Sequence, residues 1–282
     1  MEDQTWDKVH QPCPICSSSD AVGVNQDGSA KCFSCGAFMP NYQQACEGKD
    51  MTVATKPIET KQPDNLNEGN FIALTDRGIS KNTAQKYGVK AVQDLNGKVI
   101  KHLYPYYNGH ELSATKYRNT VTKDFFVQGS YNETGLFGQQ LFKSGKYVTI
   151  TEGECDAMAA YELLGSKWAV VSIKRGAQGA VKDIKESLEF FDDFENVIIA
   201  FDNDKAGKDA SVKVARLFKP GKARILTLPN GWKDPNDMLR SNKHKDFVES
   251  WWSAKVYTPS GVINVTEQRE KFHNREKKQS IP

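Results

Sequence analysis

The chain has 282 residues, more than one average domain, so we expect two compact units with connecting segments. No stretch is long and apolar enough to cross a membrane, and the first residues lack the basic and apolar regions of a secretory signal, so an intracellular, cytoplasmic protein is expected. In a reducing compartment, six cysteines indicate metal binding or buried thiols before disulfides.

The formal net charge of +3 is small, but the charge is distributed unevenly along the chain. Residues 1–50 carry three lysines and seven acidic residues, a balance of −4. Residues 97–146 carry six lysines and one arginine against three acidic residues, a balance of +4. If a polyanion binds, we therefore expect its phosphates on the middle segment.

Two pairs of cysteines lie near the start of the chain. Two residues separate Cys13 from Cys16, fifteen residues follow, and Cys32 and Cys35 repeat the spacing. This pattern is typical of structural zinc held by four thiolates. A redox function of either pair is the alternative, but neither pair sits at a strand-to-helix turn. Residues 1–45 are therefore predicted to form a small zinc ribbon of short strands.

A polar segment without periodicity follows the ribbon and predicts a flexible linker over residues 46–69. Residues 70–145 are predicted to form a basic subdomain of mixed α/β structure. It is expected to begin with two short helices over residues 71–88, the second capped by Ser80 and closed by Gly88.

A β-hairpin with its turn at Asn108-Gly109 is predicted next. On the returning strand, Lys116 and Arg118 share one face, and Lys123 lies beyond a loop. An ordinary solvated strand face is the alternative interpretation. The positive charge of the segment favours phosphate binding by these three side chains.

Strands alternate with helices from residue 147 to residue 229, which predicts a parallel sheet with helices on both faces. The predicted order is strand 147–151, helix from Asp156, strand 168–173, helix 181–194, strand 197–201, helix 206–218 and strand 224–228. A helix with Phe247, Trp251 and Trp252 is expected to close this domain, and the charged run 266–278 to form a linker helix.

Carboxylates follow two apolar strands of this sheet. Glu152 ends one strand, and Asp202 and Asp204 end another, so the three side chains are expected to meet in one crevice. They would repel one another unless a cation lies between them, and oxygen ligands suit Mg²⁺ or Mn²⁺. The alternative is two unrelated acidic strand ends that cap the following helices. Lys174 and Arg175 lie beside the same crevice and suit binding of a triphosphate or a template strand.

A strand-borne Glu-Gly followed by a strand-borne Asp-x-Asp resembles the TOPRIM signature. The order of all parts resembles the primase half of the fused primase-helicases of T-odd bacteriophages, which are also related to mitochondrial Twinkle. The segments that carry this resemblance are Cys13-Pro-Ile-Cys16, Cys32-Phe-Ser-Cys35, Ala73-Leu-Thr-Asp-Arg-Gly-Ile-Ser80, Lys116-Tyr-Arg118, Thr151-Glu-Gly-Glu-Cys-Asp156, Phe201-Asp-Asn-Asp204 and Lys233-Asp-Pro-Asn-Asp237.

The resemblance implies an α/β protein in which a small four-cysteine zinc ribbon is tethered to a mixed α/β subdomain and a TOPRIM parallel-sheet domain over residues 146–256. Residues 257–282 would then lead towards a helicase. TOPRIM primases add acidic residues to the metal site from an Asp-Pro segment, which makes Asp234 the best additional magnesium ligand and Asp237 the next. An Asp-Pro turn with a helix cap is the alternative for these two residues.

A DNA primase is the function that the resemblance implies. Such an enzyme uses ribonucleoside triphosphates to start RNA primers de novo on single-stranded DNA, at sites that its zinc module selects. Its catalytic residues would be Glu152, Asp202 and Asp204. Its partners would be a replicative helicase, fused or separate, and a replicative DNA polymerase, in the host cytoplasm if a phage encodes it, and no membrane.

Two departures from the family pattern are present. The helicase half is missing, so the chain is either a fragment or a primase that works with a separate helicase. Ser29-Ala30-Lys31 stands before the third cysteine, where relatives often carry His, so the template sequence that is recognised need not be theirs. Two other functions also remain open: a recombination mediator that binds DNA without catalysis, and a TOPRIM nuclease.

Overall fold

The computed structural model describes residues 7–14, 20–32, 37–47 and 69–259. The chain forms two compact units, residues 1–67 and residues 68–282, and each is described by itself. Most of the predicted linker and the predicted helix over residues 266–278 lie outside the described residues. In the part of the chain that is described, no helix is long and apolar enough to span a membrane.

The first unit contains a small antiparallel sheet with its four strands in chain order. The strands are β1 Lys8–Gln11, β2 Val22–Val24, β3 Ala30–Cys32 and β4 Phe38–Met39, and the short helix α1 Tyr42–Cys46 follows. Its buried apolar core includes Cys13, Val22, Ala30, Cys32 and Met39. A core this small cannot stabilise a fold alone, so a metal or another cross-link is expected on physical grounds.

The second unit begins with an antiparallel sheet. Helix α2 Lys81–Lys86 precedes β5 Lys90–Gln93, β6 Val99–Asn108, β7 Glu111–Asn119 and β8 Phe125–Gly129, which pair in chain order. Two single 3₁₀ turns, Tyr131–Glu133 and Gln139–Leu141, lead to the next sheet.

Only the second of the two predicted helices at the start of this unit forms. Ser80 caps α2 as expected, because its side chain accepts a hydrogen bond from the Thr83 N–H. The predicted first helix is wrong. Its residues form a turn closed by pairing of Leu74 with Ile79, and both side chains are buried. Gly78 takes φ +66°, so the chain turns back there instead of continuing a helix.

The hairpin between β6 and β7 is present, but its turn lies one residue later than predicted. Asn108 pairs with Glu111, so the two loop residues are Gly109 and His110. Gly109 takes φ +59° at the first loop position, where a tight hairpin turn favours glycine. Asn108 therefore belongs to the strand.

The second sheet has the order β10-β9-β11-β12-β13. Its strands are β9 Gly145–Thr151, β10 Ala169–Ser172, β11 Phe194–Ala200, β12 Ala223–Ile225 and β13 Lys255–Val256. The first four in this order run parallel, and β13 is antiparallel at the edge. The helices are α3 Glu154–Leu163, α4 Gly176–Glu186, α5 Leu188–Asp192, α6 Lys205–Ala215, α7 Pro235–Arg240 and α8 His244–Trp252.

Both faces of the parallel sheet are covered, as the continuous apolar strands predict. Along β11, Ile198 and Ala200 pack in a core that includes residues of α3, α7 and α8. The alternate residues Val197 and Ile199 pack in a second core that includes residues of α4 and α6. The single helix predicted over residues 181–194 begins earlier, at Gly176, and is interrupted at Ser187.

Candidate active site at the carboxyl ends of the parallel strands

The strand register brings the ends of β9 and β11 side by side. Thr151 pairs with Ala200, so Glu152 and Asp202 leave neighbouring strands at almost the same level. Burial raises the pKa of Glu152, and the charges of Asp202 and Asp204 raise it further. The structure therefore brings together the three carboxylates that the sequence predicts to meet.

Glu152 lies between the sheet and the start of α4. Its Oε1 accepts a hydrogen bond of 3.1 Å from the Ala177 N–H. Its Oε2 is buried and has no hydrogen-bond partner among the described residues. A buried carboxylate oxygen normally has a partner, and a bound cation would supply one.

Asp202 has a cationic neighbour that sequence reasoning did not assign to the site. The Lys233 Nζ lies 3.0 Å from the Asp202 Oδ2. Burial raises the pKa of Asp202, and the ammonium group of Lys233 opposes that rise. Lys233 adjoins the Asp-Pro segment, and this position was the only signal that could have identified it.

Asp204 and Asp234 both cap helices. The Asp204 Oδ1 accepts a 2.8 Å hydrogen bond from the Gly207 N–H at the start of α6. The Asp234 Oδ1 accepts a 2.8 Å bond from the Asp237 N–H at the start of α7. Each cap uses one carboxylate oxygen, so capping and cation binding are compatible. Asp237 contributes its backbone to the Asp234 cap.

Asp156 on α3 is a member of the acidic cluster that sequence reasoning missed as a site residue. Burial, followed by the charges of Asp234 and Asp202, raises the pKa of Asp156 well above its ordinary value. Its Oδ1 accepts a 3.3 Å hydrogen bond from the Asn236 N–H. A Cβ at residue 153 would lie 2.7 Å from the Asp156 Oδ2, so a larger residue there would displace this carboxylate.

Asp156→Asn is expected to stabilise the protein near neutral pH in buffer without divalent cations. When folding raises the pKa of a carboxyl, its contribution to the free energy of unfolding is fully present below the unfolded-state pKa of about 3.9. That contribution is lost as the pH rises through the folded-state pKa. Thermal melts between about pH 4 and about pH 8 should therefore show a steeper loss of stability for the wild type than for Asp156→Asn. Asp209→Asn, which removes an exposed charge from α6, is the control. Parallel pH profiles would contradict the expectation.

The chemistry of the cluster fits a hard divalent cation. Its donors are carboxylate oxygens whose charges raise the pKa of Glu152 and of Asp156, and one of them, the Glu152 Oε2, has no partner among the described residues. In the part of the chain that is described, no three acidic, His or Cys side chains form a preformed set of ligands. Binding of a cation would therefore require the carboxylates to move closer together.

The predicted zinc site can be compared with the structure at two positions only. Cys13 and Cys32 are buried in the core of the first unit, at 3% and 0% exposure. Cys16 and Cys35 lie outside the described residues. The two described thiols occupy the interior position that a structural site requires, and the four-thiolate site stays a prediction.

Lys116 is held at the junction between the two sheets of the second unit. Its Nζ lies 2.7 Å from the Oε1 of Glu154, the same oxygen that accepts a 2.6 Å hydrogen bond from the Tyr106 hydroxyl. Burial alone would raise the pKa of Glu154, but the Lys116 charge lowers it. Lys116 thus connects β7 to the helix that begins two residues after Glu152.

Arg118 lies two residues further along β7, and Lys123 lies in the loop between β7 and β8. The Arg118 guanidinium lies 5.3 Å from the centre of the Phe125 ring, and its Nε is buried without a hydrogen-bond partner in the described ranges. Lys123 is exposed in a tight loop and takes φ +65°. The loop is closed by a 3.0 Å hydrogen bond from the Lys123 N–H to the Asn119 carbonyl.

Lys174 and Arg175 are engaged inside the domain. The Lys174 ammonium is buried and donates to the Thr134 carbonyl at 2.5 Å. The Arg175 guanidinium lies 3.3 Å from Asp183 and 3.4 Å from Glu186, both on α4. These contacts direct both side chains away from open solvent, and they also fix the start of α4 next to Glu152.

The comparisons with known proteins agree with this geometry. Residues 149–239 match the Toprim-like family. The DNA helicase/primase of Enterobacteria phage T3 is 33% identical over 274 residues, which cover 96% of this chain and 48% of the T3 protein. The solved primase fragment of the bacteriophage T7 primase-helicase is 32% identical, with a TM-score of 0.60 over 87% of this chain and 99% of the fragment. The chain belongs to this family of bacteriophage primases.

The relatives belong to longer chains or larger assemblies. The chain spans about half the length of the T3 protein that it matches. A second solved relative is a primase domain in an assembly of bacteriophage T7 lagging-strand DNA polymerase with two gp4 subunits, an RNA/DNA hybrid and dTTP. It is 34% identical, with a TM-score of 0.60 over 67% of this chain and 94% of that domain. The family therefore includes domains observed next to a polymerase.

Proposed function

We propose that the chain is a DNA primase that joins ribonucleotides de novo on single-stranded DNA, at sites chosen by its zinc module. The observation that carries this proposal is the carboxylate cluster at the ends of β9 and β11, in a chain similar over nearly its whole length to phage primases. We propose the replicative helicase, fused or separate, and the replicative DNA polymerase as its protein partners.

Magnesium or manganese would be held by Glu152, Asp202 and Asp204, with Asp234 as the additional ligand. When bound, such an ion neutralises phosphate charge and stabilises attacking and leaving oxygens. Asp234 is favoured over Asp237 because its charge raises the pKa of both Asp156 and Asp202. Zinc would be held by the four thiolates of Cys13, Cys16, Cys32 and Cys35.

The residues around the cluster prepare it for a charged ligand. The Ala177 N–H orients Glu152, and the two helix caps orient Asp204 and Asp234. Lys233 offsets part of the charge of Asp202 and is mostly exposed, so it can turn away when another cation enters. We assign no general base, since Glu152 fits a ligand role equally well.

Phosphate binding is proposed for the cations on the antiparallel sheet. Arg118 and Lys123 are the best placed, because neither has a described carboxylate partner within ion-pair distance, whereas Lys116 is paired with Glu154. Lys174 and Arg175 would bind a triphosphate or template only if their contacts with Thr134, Asp183 and Glu186 opened. Arg118→Ala therefore gives the clearest test of phosphate binding, and Lys116→Ala tests whether a cation paired with a carboxylate contributes as well.

The function is tested by incubating the protein with single-stranded DNA, the four ribonucleoside triphosphates and Mg²⁺. RNA oligomers that depend on the template would support a primase. Shortened DNA would instead indicate a nuclease, and DNA binding without either product would indicate a mediator. Reactions without template or without Mg²⁺ are the controls.

Arg118→Ala and Lys116→Ala should both raise the KM for ribonucleotides or weaken template binding with a reduced salt dependence, because each removes one phosphate-binding charge. They should differ in stability. Lys116→Ala leaves Glu154 buried without its cation and should lower the free energy of unfolding by about 3–5 kcal/mol. Arg118→Ala leaves no buried carboxylate without a partner, so its effect on stability should be smaller.

The matched control for this difference is the double variant Lys116→Ala, Glu154→Gln, which removes both charges of the pair. It should recover most of the lost stability, as measured by urea unfolding, without recovering the phosphate-binding defect. Wild-type kinetics and salt dependence in both single variants would show that neither side chain binds phosphate.

A further inference from the structure

The outer edge of the antiparallel sheet exposes two consecutive phenylalanines. Phe125 and Phe126 begin β8, the edge strand next to β7, and are 53% and 59% exposed. An exposed aromatic pair on an edge strand favours unwanted association unless it has a binding function. The surroundings of the two rings distinguish them.

The two rings lie on opposite faces of the sheet. Phe125 pairs with Arg118 across the ladder, and Phe126 pairs with Tyr117. Residues directly opposite each other in an antiparallel ladder share a face, so Phe125 shares its face with the cations of β7. Phe126 instead contacts the Tyr117 ring, with 5.7 Å between the ring centres.

Two cations hold the Phe125 ring in place. The Lys116 Nζ lies 4.8 Å from the ring centre, and the Arg118 guanidinium carbon lies 5.3 Å from it. Cations near a ring are attracted to its negative face, so the ring is oriented while half of it stays in contact with solvent. The buried Arg118 Nε, which lacks an acceptor in the described part of the chain, adds an unused donor at this place.

The Phe125 face is also the face that contacts α3. Lys116, which contacts the ring, bonds to Glu154 on α3, and Glu154 follows Glu152 by two residues. The opposite face, with Phe126 and Tyr117, has no such connection in the contacts described. A ligand on the Phe125 ring would therefore lie on the catalytic side of the sheet.

We propose that Phe125 stacks on a base of the single-stranded template DNA, while Arg118 and Lys123 contact its phosphates. This inference rests on the proposed function. It assigns to Phe125 a contact with the template, and not with the metal or the triphosphate. An aromatic ring beside cations is the arrangement that binds single strands without sequence preference, because every base has a stacking face. The +4 balance of residues 97–146 complements a polyanion.

The test measures binding of a fluorescein-labelled oligothymidylate to the full chain by anisotropy, at several salt concentrations. Phe125→Leu should weaken the affinity roughly 5- to 100-fold, the scale of one lost base–aromatic stack. The salt dependence should not change, because no charge is removed. Phe125→Tyr, which keeps a ring, should bind like the wild type.

Phe126→Leu is the matched control, since it changes the neighbouring residue of the same strand on the opposite face. Its affinity should stay within about twofold of the wild-type value, as no base stacks on Phe126 in this proposal. Equal affinities of the wild type and Phe125→Leu would overturn the proposal, as would equal losses in Phe125→Leu and Phe126→Leu. A higher KM for ribonucleotides without weaker DNA binding would make the incoming nucleotide the occupant and would also overturn it.

Failure of this inference can be distinguished from failure of the proposed function. If the wild-type chain binds no single-stranded DNA and makes no RNA, both fail. If the wild-type chain makes RNA on a template and Phe125→Leu binds DNA as tightly as the wild type, only the role of Phe125 is wrong.

Discussion

Asp204→Asn is expected to lower template-directed nucleotide addition on the order of 10²- to 10³-fold, the scale for removing one electrostatic stabiliser from an active site. The same change should leave the protein folded. Asp204 caps α6 through its Oδ1, and Asn is an equally good cap, so the hydrogen bond to the Gly207 N–H can persist. Only the charge is lost.

Stability separates this effect from misfolding. Removing one charge from a repelling cluster should leave the melting temperature unchanged or raise it in buffer without divalent cations. Asp209→Asn, on the exposed side of the same helix, should keep both activity and stability. Nucleotide addition at the wild-type rate in Asp204→Asn would remove this carboxylate from the site.

Cys32→Ser should unfold the first unit and abolish initiation at preferred template sites. The core of that unit is very small, whereas structural zinc contributes about 10–16 kcal/mol of binding free energy in zinc-finger peptides. The free energy lost with one thiolate should therefore be larger than the packing of the remaining core can offset. Zinc content and amide hydrogen exchange over residues 7–47 measure the loss directly.

The second unit should keep its fold in Cys32→Ser, because it has its own cores. Extension of a short RNA already annealed to the template should then be spared, while initiation de novo is lost. Cys46→Ser is the control, since this exposed thiol lies outside the predicted zinc set. If initiation and extension fall together while the second unit stays folded, the zinc module takes part in every cycle of nucleotide addition.

The arrangement of Glu152, Asp202 and Asp204 could be predicted because it follows from strand order. Apolar runs predict buried parallel strands, and parallel strands deliver whatever follows them to the same edge of the sheet. The register that pairs Thr151 with Ala200 agrees with that reasoning. The local sequence pattern was sufficient because each of these carboxylates lies close after the end of a strand.

Asp156 and Lys233 could not be assigned in the same way. Asp156 becomes part of the cluster only because α7, eighty residues later, packs against α3 and places Asn236 beside it. Lys116 was assigned to phosphate, but its contact with Glu154 joins residues 38 positions apart. Side-chain partners across such separations depend on packing between elements, which periodicity does not encode.

The predicted helix at the start of the second unit failed for a related reason. Leu74 and Ile79 are both fully buried, and a closed turn buries both together. Tertiary burial there outweighs the weak helical preference of a short segment.

The core of the second unit has a consequence for how this part of the chain unfolds. Tyr87, Tyr104 and Tyr106 come from the antiparallel part, and Met158 and Val170 from the parallel part, yet all five belong to one continuous core. The Tyr87 hydroxyl donates to the Val170 carbonyl at 2.9 Å, with both groups buried. Neither sheet can therefore lose its structure without exposing apolar surface of the other. The boundary near residue 145 separates an antiparallel from a parallel sheet, but the two sheets form one cooperative unit. Residues 69–259 should therefore unfold in a single transition.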